Sequence, residues 1–268
     1  MPRDITTAVL ANTDLGEGTW LLEFGDREMA RTMRPAQFFM IGIPGAATLL
    51  RRPYSVCGLP GTFGDRPTGA IQVLYKVIGQ GTGLLAALAP GAPINVLGPL
   101  GNGFTPPDDL DTVPVFVAGG IGSAPFPALT MSLAGKFPKP KMFYGARAAT
   151  DLALADWFAE RTELETATED GSVGVRGRVT APLIRMLDRA TNDRLKLYVC
   201  GPEPMLEAVG KLAVERGLAC ELSLEAHMAC GFGVCLGCVV PVRRAGDAVG
   251  YDRVCLEGPV MDATCLAW

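Results

Sequence analysis

Histidine is nearly absent from this sequence of 268 residues, which contains only His227. Sites that need two histidines, such as a Rieske centre or a C2H2 zinc finger, are therefore excluded. Neither sign of charge dominates, because 24 basic residues oppose 28 acidic ones and the formal net charge is −4. The chain thus has no overall attraction to nucleic acid or to anionic lipid.

An apolar run of signal-peptide length is missing from the first ten residues, which carry charges at Arg3 and Asp4. We therefore expect no export and a cytoplasmic protein. In that compartment disulfides are rare, so clustered cysteines more often bind metal or carry out redox chemistry.

A long uncharged stretch at residues 113–135 has the hydropathy of a membrane span. Its interior contains three glycines in four positions, followed by two prolines, and these residues would break a single helix. The stretch predicts instead a strand, a turn and a new helix, and no membrane span.

The sequence divides into three parts. Residues 1–105 contain short β-rich runs between Gly- and Pro-rich turns, and predict an antiparallel β-barrel. Residues 106–225 alternate strand and helix patterns, and predict an α/β domain with a parallel sheet. Within them the polar residues 164–179 predict a loop. Residues 226–268 have too few large apolar side chains to fold by burial alone, and predict a small cysteine-loop domain held by something other than a core.

Three cysteines and three glycines occupy ten positions in ACGFGVCLGC, residues 229–238. With Cys255 they form the spacing Cys230-x4-Cys235-x2-Cys238-x16-Cys255, which is the plant-type ferredoxin pattern for a [2Fe-2S] cluster. The glycines let the loop turn its amides toward the sulfurs of an anionic cluster. A zinc ribbon usually needs two C-x2-C pairs, and a redox dithiol would use only two of the four cysteines. The pattern favours the iron–sulfur cluster, with zinc and a dithiol as the alternatives.

A second pattern reads Arg-Pro-Tyr-Ser at residues 52–55, at the start of a predicted strand. Arg52 can pair with a pyrophosphate, Tyr54 can lie against a planar ring, and Ser55 offers a hydroxyl group. An ordinary strand with a surface arginine could look the same. Downstream, residues 75–88 run from a strand through a glycine-rich turn into a helix whose free amides could bind phosphate. The two segments together predict a flavin dinucleotide site.

Two turns in the α/β region are candidates for a nicotinamide site. The first follows a predicted strand at residues 116–126, where open α/β sheets bind ligands, although a merely tight turn would share the pattern. The second follows Cys200, which is predicted at the carboxyl end of a strand. The candidate cofactor-binding residues of the two turns are Gly119, Gly120, Gly122, Gly201 and Pro202.

Two residues near these turns are candidates for a catalytic role. Cys200 is of interest because of its place at a strand end, although an isolated buried cysteine is usually a small apolar residue. Glu225 comes just after the last predicted strand and could approach the flavin. A solvated carboxylate is an equally good interpretation of Glu225.

The order of these motifs resembles the ferredoxin–NADP reductase superfamily, and the cysteine region resembles the electron-transfer subunits of class 1B dihydroorotate dehydrogenase. The resemblance implies a barrel that binds FAD, an α/β domain that binds NAD and a carboxyl-terminal [2Fe-2S] domain. For FAD it implies Arg52, Pro53, Tyr54, Ser55, Leu74, Tyr75, Lys76, Gly81 and Thr82. For the cluster it implies Cys230, Cys235, Cys238 and Cys255.

The resemblance also implies a reaction that runs across two proteins. A catalytic partner with FMN would oxidise dihydroorotate to orotate, in pyrimidine biosynthesis, and pass single electrons to the cluster. They would continue to FAD, which would reduce NAD+. Two copies of each subunit would form a heterotetramer, and the cysteine loop would lie at the subunit interface.

The choice of NAD over NADP rests on the resemblance alone. Arg147 could hold a 2′-phosphate, whereas Asp151 could bind a ribose hydroxyl. Two other functions remain open at this point. One is a reductase that passes electrons from NAD(P)H to another acceptor, and the other is a zinc-stabilised binding module without enzymatic activity.

Overall fold

The amino-terminal part of the chain is an antiparallel sheet of six strands. The structure is a computed structural model that describes residues 1–46, 50–64, 69–190 and 194–268. The sheet has the order β4-β3-β6-β1-β2-β5, and its edge strands β4 and β5 contact each other, so it nearly closes into a barrel. Its strands are β1 (Arg3–Asp14), β2 (Thr19–Gly25), β3 (Phe38–Gly42), β4 (Arg52–Ser55), β5 (Ala70–Lys76) and β6 (Pro93–Leu100).

Alternating burial explains why these segments form a barrel. In β6, Ile94, Val96, Gly98 and Leu100 are buried, while the residues that alternate with them are partly exposed. Two short helices, α1 (Arg27–Thr32) and α2 (Gln80–Ala86), connect strands. Asp26 caps α1 by accepting hydrogen bonds from the backbone N–H groups of Glu28 and Met29 at 3.0 and 2.9 Å.

The middle of the chain forms a second, mainly parallel sheet with helices packed on it. Its strand order is β10-β9-β8-β7-β11-β12-β15, and only β15 runs antiparallel to its neighbour. The strands are β7 (Val113–Gly119), β8 (Lys141–Ala146), β9 (Glu163–Thr168), β10 (Val175–Arg176), β11 (Leu195–Cys200), β12 (Ala219–Ser223) and β15 (Val260–Asp262). The helices are α3 (Phe126–Leu133), α4 (Ala155–Arg161), α5 (Thr180–Arg189) and α6 (Glu203–Glu215).

The predicted strand, turn and helix in residues 113–135 are confirmed. Strand β7 passes through a short 3-10 turn at Gly120–Ser123 into α3. Within the part of the chain that the structure describes, no helix has both the length and the apolar character needed to span a membrane.

The predicted loop at residues 164–179 is wrong, because this segment contains most of β9 and all of β10. Strand β9 pairs in parallel register with β8, from Lys141 opposite Glu163 to Ala146 opposite Thr168. It lies near the sheet edge, where much of its surface is only partly buried. Polar side chains are tolerated there, so composition concealed a strand that backbone hydrogen bonds hold in place.

The carboxyl-terminal region does not build a core of its own. A hairpin of β13 (Val239–Arg243) and β14 (Val249–Arg253) follows the cysteine loop, and β15 then joins the parallel sheet. Val242, Val254 and Leu266 pack into a core shared with β11, β12 and the barrel residue Met40. The scarcity of apolar residues in this region is therefore met by burial against both other parts. The boundaries predicted at residues 105 and 225 remain predictions.

Candidate cofactor-binding sites

The cysteine loop turns sharply because three of its residues adopt left-handed backbone conformations. Gly231 and Gly233 have φ values of 82° and 86°, and Leu236 has 57°. These turns direct the backbone N–H groups of Cys235, Phe232 and Val234 to the thiol of Cys230. Burial alone would raise the pKa of Cys230, but the hydrogen bonds outweigh it and lower the pKa to about 6. The loop is therefore built to stabilise a thiolate.

The four predicted ligands lie together as two contacting pairs. The thiol of Cys230 interacts with that of Cys235, and the thiol of Cys255 with that of Cys238. Cys255 also interacts electrostatically with Cys230. Among the residues that the structure describes, no three His, Cys, Asp or Glu side chains form a group suited to a single metal ion.

The second pair is fixed by the hairpin and is buried. The backbone N–H of Val254 donates to the carbonyl of Cys238 at 2.9 Å, which holds the chain around Cys255 against Cys238. Cys238 and Cys255 are 2% and 1% exposed, whereas Cys235 is exposed. Burial, with the Cys238 thiol beside it, raises the pKa of Cys255 to about 12. The Cys255 thiol alone therefore stays protonated, because an isolated thiolate is costly to bury, and a bound cation would be needed to stabilise its charged form.

The cysteine loop packs directly on the barrel. A Cβ atom on Gly231 would lie 2.4 Å from Cγ of Met40 and 3.4 Å from Cδ1 of Leu100, so only glycine allows this approach. Met40 in β3 is paired across the sheet with Pro53 in β4. The loop thus lies one strand away from the predicted flavin motif, at a strand spacing of about 4.8 Å.

The Arg-Pro-Tyr-Ser motif is strand β4, and all four of its residues are half-buried. The Arg52 guanidinium lies across the Gly-rich turn, where a Cβ atom on Gly81 would be 2.2 Å from its Cζ. Arg52, Tyr54, Gly81 and Leu85 contribute to the lining of one open, shallow cleft. The structure therefore brings the two predicted flavin segments to one cleft.

Tyr54 packs edge to face on Tyr75, with ring centroids 5.9 Å apart. Burial raises the pKa of Tyr54 to about 12, against the opposing effect of Arg52. The Tyr75 hydroxyl donates to Oδ1 of Asn12 at 3.1 Å, and its ring is buried in the barrel. Tyr54 is thus the ring that lines the cleft, and Tyr75 supports it from below.

Three other predicted flavin residues have structural partners of their own. The hydroxyl of Thr82 donates to the carbonyl of Gly79 at 3.0 Å and accepts from the N–H of Ile78 at 3.0 Å, so it shapes the turn. Leu74 is buried against Cys57 and Ala124, where the barrel meets the α/β part. The ammonium group of Lys76 forms an ion pair with Asp151 across the same boundary.

The two glycine turns of the parallel sheet pack on each other. A Cβ atom on Gly122 would lie 2.4 Å from the carbonyl oxygen of Cys200, and one on Gly119 would lie 2.7 Å from Cδ of Pro202. Gly201 has φ of 156° and approaches Gly119 equally closely. Gly120 differs, because it faces open space. The glycines thus let the ends of β7 and β11 meet, and Gly120 is the one left open.

Cys200 is confirmed at the carboxyl end of β11, where it is paired with Ala118 on one side and Ser223 on the other. Burial raises the pKa of the Cys200 thiol, and the carboxylate of Glu225 adds to the effect, while a hydrogen bond with Ser223 opposes it. Cys200 is therefore a neutral thiol rather than a nucleophile.

Glu225 follows β12 at the same sheet edge. Glu225 as a whole residue is exposed. The protein around its carboxyl group nevertheless excludes water and so raises the pKa of that group. Glu225, Gly201, Pro241 and Trp268 contribute to the lining of a second cleft, which is larger than the first. The indole nitrogen of Trp268 is buried there without a hydrogen-bond partner among the described residues. Sequence reasoning did not predict Trp268, because nothing in the motif order points to the last residue of the chain.

The chain matches two family models. Residues 225–267 match the iron-sulfur cluster binding domain of dihydroorotate dehydrogenase B, and residues 116–211 match the oxidoreductase NAD-binding domain.

Curated relatives match over the full length. The chain is 35% identical over 270 residues to the protein of Desulforamulus reducens named dihydroorotate dehydrogenase B (NAD(+)), electron transfer subunit, and the match covers 100% of both chains. It is 36% identical to the protein of the same name from Geobacillus kaustophilus, with 93% of each chain covered.

Solved structures share the fold. The NADH-dependent reduced ferredoxin-NADP oxidoreductase superposes with a TM-score of 0.80 at 24% identity, covering 98% of this chain and 90% of that one. A ferredoxin NADP+ reductase from Neisseria gonorrhoeae gives a TM-score of 0.65 at 16% identity, covering 80% and 92%. The predicted combination of barrel, parallel α/β sheet and cysteine-loop region is confirmed.

Proposed function

Because the chain belongs to the family of dihydroorotate dehydrogenase B (NAD(+)) electron transfer subunits, we propose the following electron path through its residues. Cys230, Cys235, Cys238 and Cys255 would hold a [2Fe-2S] cluster, which would supply one-electron transfer. Arg52 and Tyr54 would hold FAD in their cleft, and the carboxyl ends of β7 and β11 would hold NAD+ as the final acceptor. The electron donor is a catalytic partner with FMN that oxidises dihydroorotate.

The observation that carries this proposal is the contact between the cysteine loop and the barrel. Gly231 lies against Met40, whose cross-strand partner is Pro53 of the flavin motif. The close approach gives an electron a short route from the thiols to the cleft.

The thiols fit a two-iron cluster in two respects. Their four sulfurs, which lie in two contacting pairs, would match the four thiolate ligands that a [2Fe-2S] cluster needs. The three N–H groups around Cys230 stabilise negative charge on its sulfur, as an anionic cluster requires.

The residues proposed for the flavin and nicotinamide sites would bind the two cofactors and set their orientation. When bound, FAD exchanges single electrons with an iron–sulfur cluster and a hydride with NAD+, chemistry that side chains do not provide. Arg52 offers a planar set of donors to a phosphate, and Tyr54 offers a ring face beside it. Gly120 leaves room for a dinucleotide at the sheet edge. Cys200 and Glu225 would lie beside the nicotinamide, with the Cys200 thiol kept uncharged by burial.

The surface around the cysteine loop is the docking site of the catalytic partner. Four apolar side chains surround the thiols and are half or more exposed: Phe232 at 50%, Val234 at 73%, Leu236 at 60% and Leu256 at 50%. Exposed apolar groups concentrated in this way mark protein interfaces. We expect two copies of each chain in the complex. We also expect a cytoplasmic location, because free thiols persist there.

Reconstitution tests the proposal. The chain is co-expressed with an FMN-containing dihydroorotate dehydrogenase subunit and purified without oxygen, and dihydroorotate-dependent NADH formation is measured. Electron paramagnetic resonance (EPR) is recorded after reduction. We expect one [2Fe-2S] signal and one FAD per chain, with NADH formation that needs both subunits.

Two outcomes would contradict the proposal. A chain that binds zinc and lacks both flavin absorption and acid-labile sulfide would be a binding module. A loaded chain that oxidises NADH rapidly but neither binds the dihydroorotate-oxidising subunit nor exchanges electrons with it would be a reductase for another acceptor.

A further inference from the structure

An arginine outside the ligand set touches the cysteine loop. Arg253 is the last residue of β14 and lies two positions before Cys255. Its Nη1 donates to the backbone carbonyl of Gly233 at 3.1 Å. Gly233 belongs to the loop between Cys230 and Cys235, so this bond ties the hairpin to the first part of the ligand set.

Both backbone polar groups of Gly233 form hydrogen bonds, one with Arg253 and one with Cys255. Its carbonyl accepts from Arg253, and its N–H is directed at the thiol of Cys255. The residue is left-handed, and a Cβ atom on it would lie 3.1 Å from Leu256 and 3.4 Å from Nη1 of Arg253. The two groups belong to adjacent peptide units that meet at Gly233, so the hydrogen bond from Arg253 restrains the residue whose N–H is directed at Cys255.

Glu257 fixes the arginine in place. Its carboxylate accepts from Nε of Arg253 at 3.1 Å and from Nη2 of the same side chain, and it also accepts from the Arg253 backbone N–H at 2.8 Å. Two-point contacts of this kind set the direction of a guanidinium group. Nη1 is the nitrogen left over, and it points at Gly233.

The guanidinium also lies within electrostatic range of the thiols of Cys255 and Cys238. Both charged side chains are about a third exposed, at 31% and 34%, so solvent screens this interaction only in part.

From this geometry we infer that Arg253 is a positioning residue that raises the reduction potential of the cluster, and that Glu257 moderates its charge. This inference rests on the proposed function. One-electron reduction adds one negative charge to the cluster. A nearby cation and an N–H directed at a ligand sulfur both stabilise the added charge, and both are known means of setting cluster potentials.

Four variants, three single and one double, separate the effect of charge from the effect of loop orientation. Arg253→Gln removes the cation and leaves Glu257 uncompensated, so the potential falls. Glu257→Gln leaves the cation uncompensated, so the potential rises. The double variant keeps the net charge but loses the anchor on Gly233, so any fall that persists in it measures the contribution of the anchored loop. Arg253→Lys keeps the charge, and should restore part of the potential.

The potential is measured by redox titration of the EPR signal in the complete chain with FAD bound. Only chains that contain the cluster give the EPR signal, so the reduction potential can still be measured in a variant that has lost part of its cluster. We expect the ratio of reduced to oxidised cluster at fixed potential to change by about threefold to tenfold, where tenfold corresponds to about 59 mV. The matched control is Arg244→Gln, which breaks an ion pair between the β13–β14 turn and Asp252 and removes a cation from the same hairpin without touching Gly233.

The outcomes distinguish this inference from the proposed function. Without a [2Fe-2S] signal in the unaltered chain, the proposed function fails. With a normal signal, but equal potentials in Arg253→Gln, Glu257→Gln and the unaltered chain, the role of Arg253 is overturned. Equal shifts in Arg253→Gln and Arg244→Gln would also overturn it, because a general charge effect would then suffice.

Discussion

At the scale of the residue, the absence of a side chain on Gly81 leaves the space in which the charged Arg52 side chain lies. The Arg52 guanidinium occupies the space that a Cβ atom on Gly81 would take. Arg52 also donates to the carbonyl of Leu50 at 3.0 Å, so its position over the turn is held from two directions. Glycine is needed at this position to make room for the Arg52 side chain. Its backbone conformation does not require glycine, because its φ is not left-handed.

We predict that Gly81→Ala weakens FAD binding by about tenfold to a hundredfold, because a displaced arginine loses charge-assisted hydrogen bonds worth about 1.5–3 kcal/mol. The displaced group is the end of a flexible side chain, so the midpoint of urea unfolding of the cofactor-free protein should change little. FAD affinity is measured by flavin fluorescence during titration.

Gly83→Ala is the matched control, since it lies in the same helix and a Cβ atom there meets nothing within 4 Å. Equal FAD affinity in Gly81→Ala, Gly83→Ala and the unaltered chain would show that Arg52 does not bind the cofactor from this position.

At the scale of the element, the cysteine loop depends on the barrel as much as on its own sequence. Gly231 combines a left-handed backbone with close contact to Met40, whereas Gly246 in the β13–β14 turn is left-handed with open space around it. The two positions therefore separate backbone strain from packing.

We predict that Gly231→Ala lowers the iron content of the purified chain by at least half, because the loop must move away from Met40. Backbone strain costs about 1–2 kcal/mol and overpacking about 1–3 kcal/mol more. Gly246→Ala carries only the strain and should keep its iron. Iron and acid-labile sulfide per chain are the measurements, and full loading of Gly231→Ala would refute the packing argument.

Individual elements also show where sequence patterns were sufficient. Strand β7 and helix α3 followed from the glycines and prolines that interrupt an uncharged stretch. Strand β9 did not, because Thr and Glu side chains at a partly exposed sheet edge resemble a loop in composition. Parallel pairing with β8 is a long-range property that a local pattern does not contain.

At the scale of the whole molecule, apolar contacts and an ion pair join the barrel to the α/β part beside the glycine turn. Leu74 and Cys57 from the barrel pack on Ala124 beside the glycine turn, and Lys76 pairs with Asp151. The side chains of that ion pair are 33% and 25% exposed, so its contribution to stability is at most about 1 kcal/mol. Its position between the two proposed cofactor sites favours a role in their relative orientation.

We predict that Asp151→Asn slows the reduction of FAD by saturating NADH about threefold to tenfold, while FAD content and the unfolding midpoint stay nearly constant. Stopped-flow absorbance measures the rate. Glu163→Gln is the control, because it breaks an ion pair with Lys141 that lies entirely within the parallel sheet. If Asp151→Asn raises only the NADH concentration for half-maximal rate, Asp151 binds the ribose instead of orienting the two parts.

The sequence by itself determined the chemistry of the protein, because ligand spacing and motif order are local properties of the chain. Four cysteines at plant-type spacing, an Arg-Pro-Tyr-Ser strand and two glycine turns were enough to predict the cofactors and the family. Only the tertiary structure decided what brings them together. Gly231 on Met40, Gly233 between Arg253 and Cys255, and Lys76 with Asp151 join segments distant in the chain, and such contacts form only when the separate parts pack into one core.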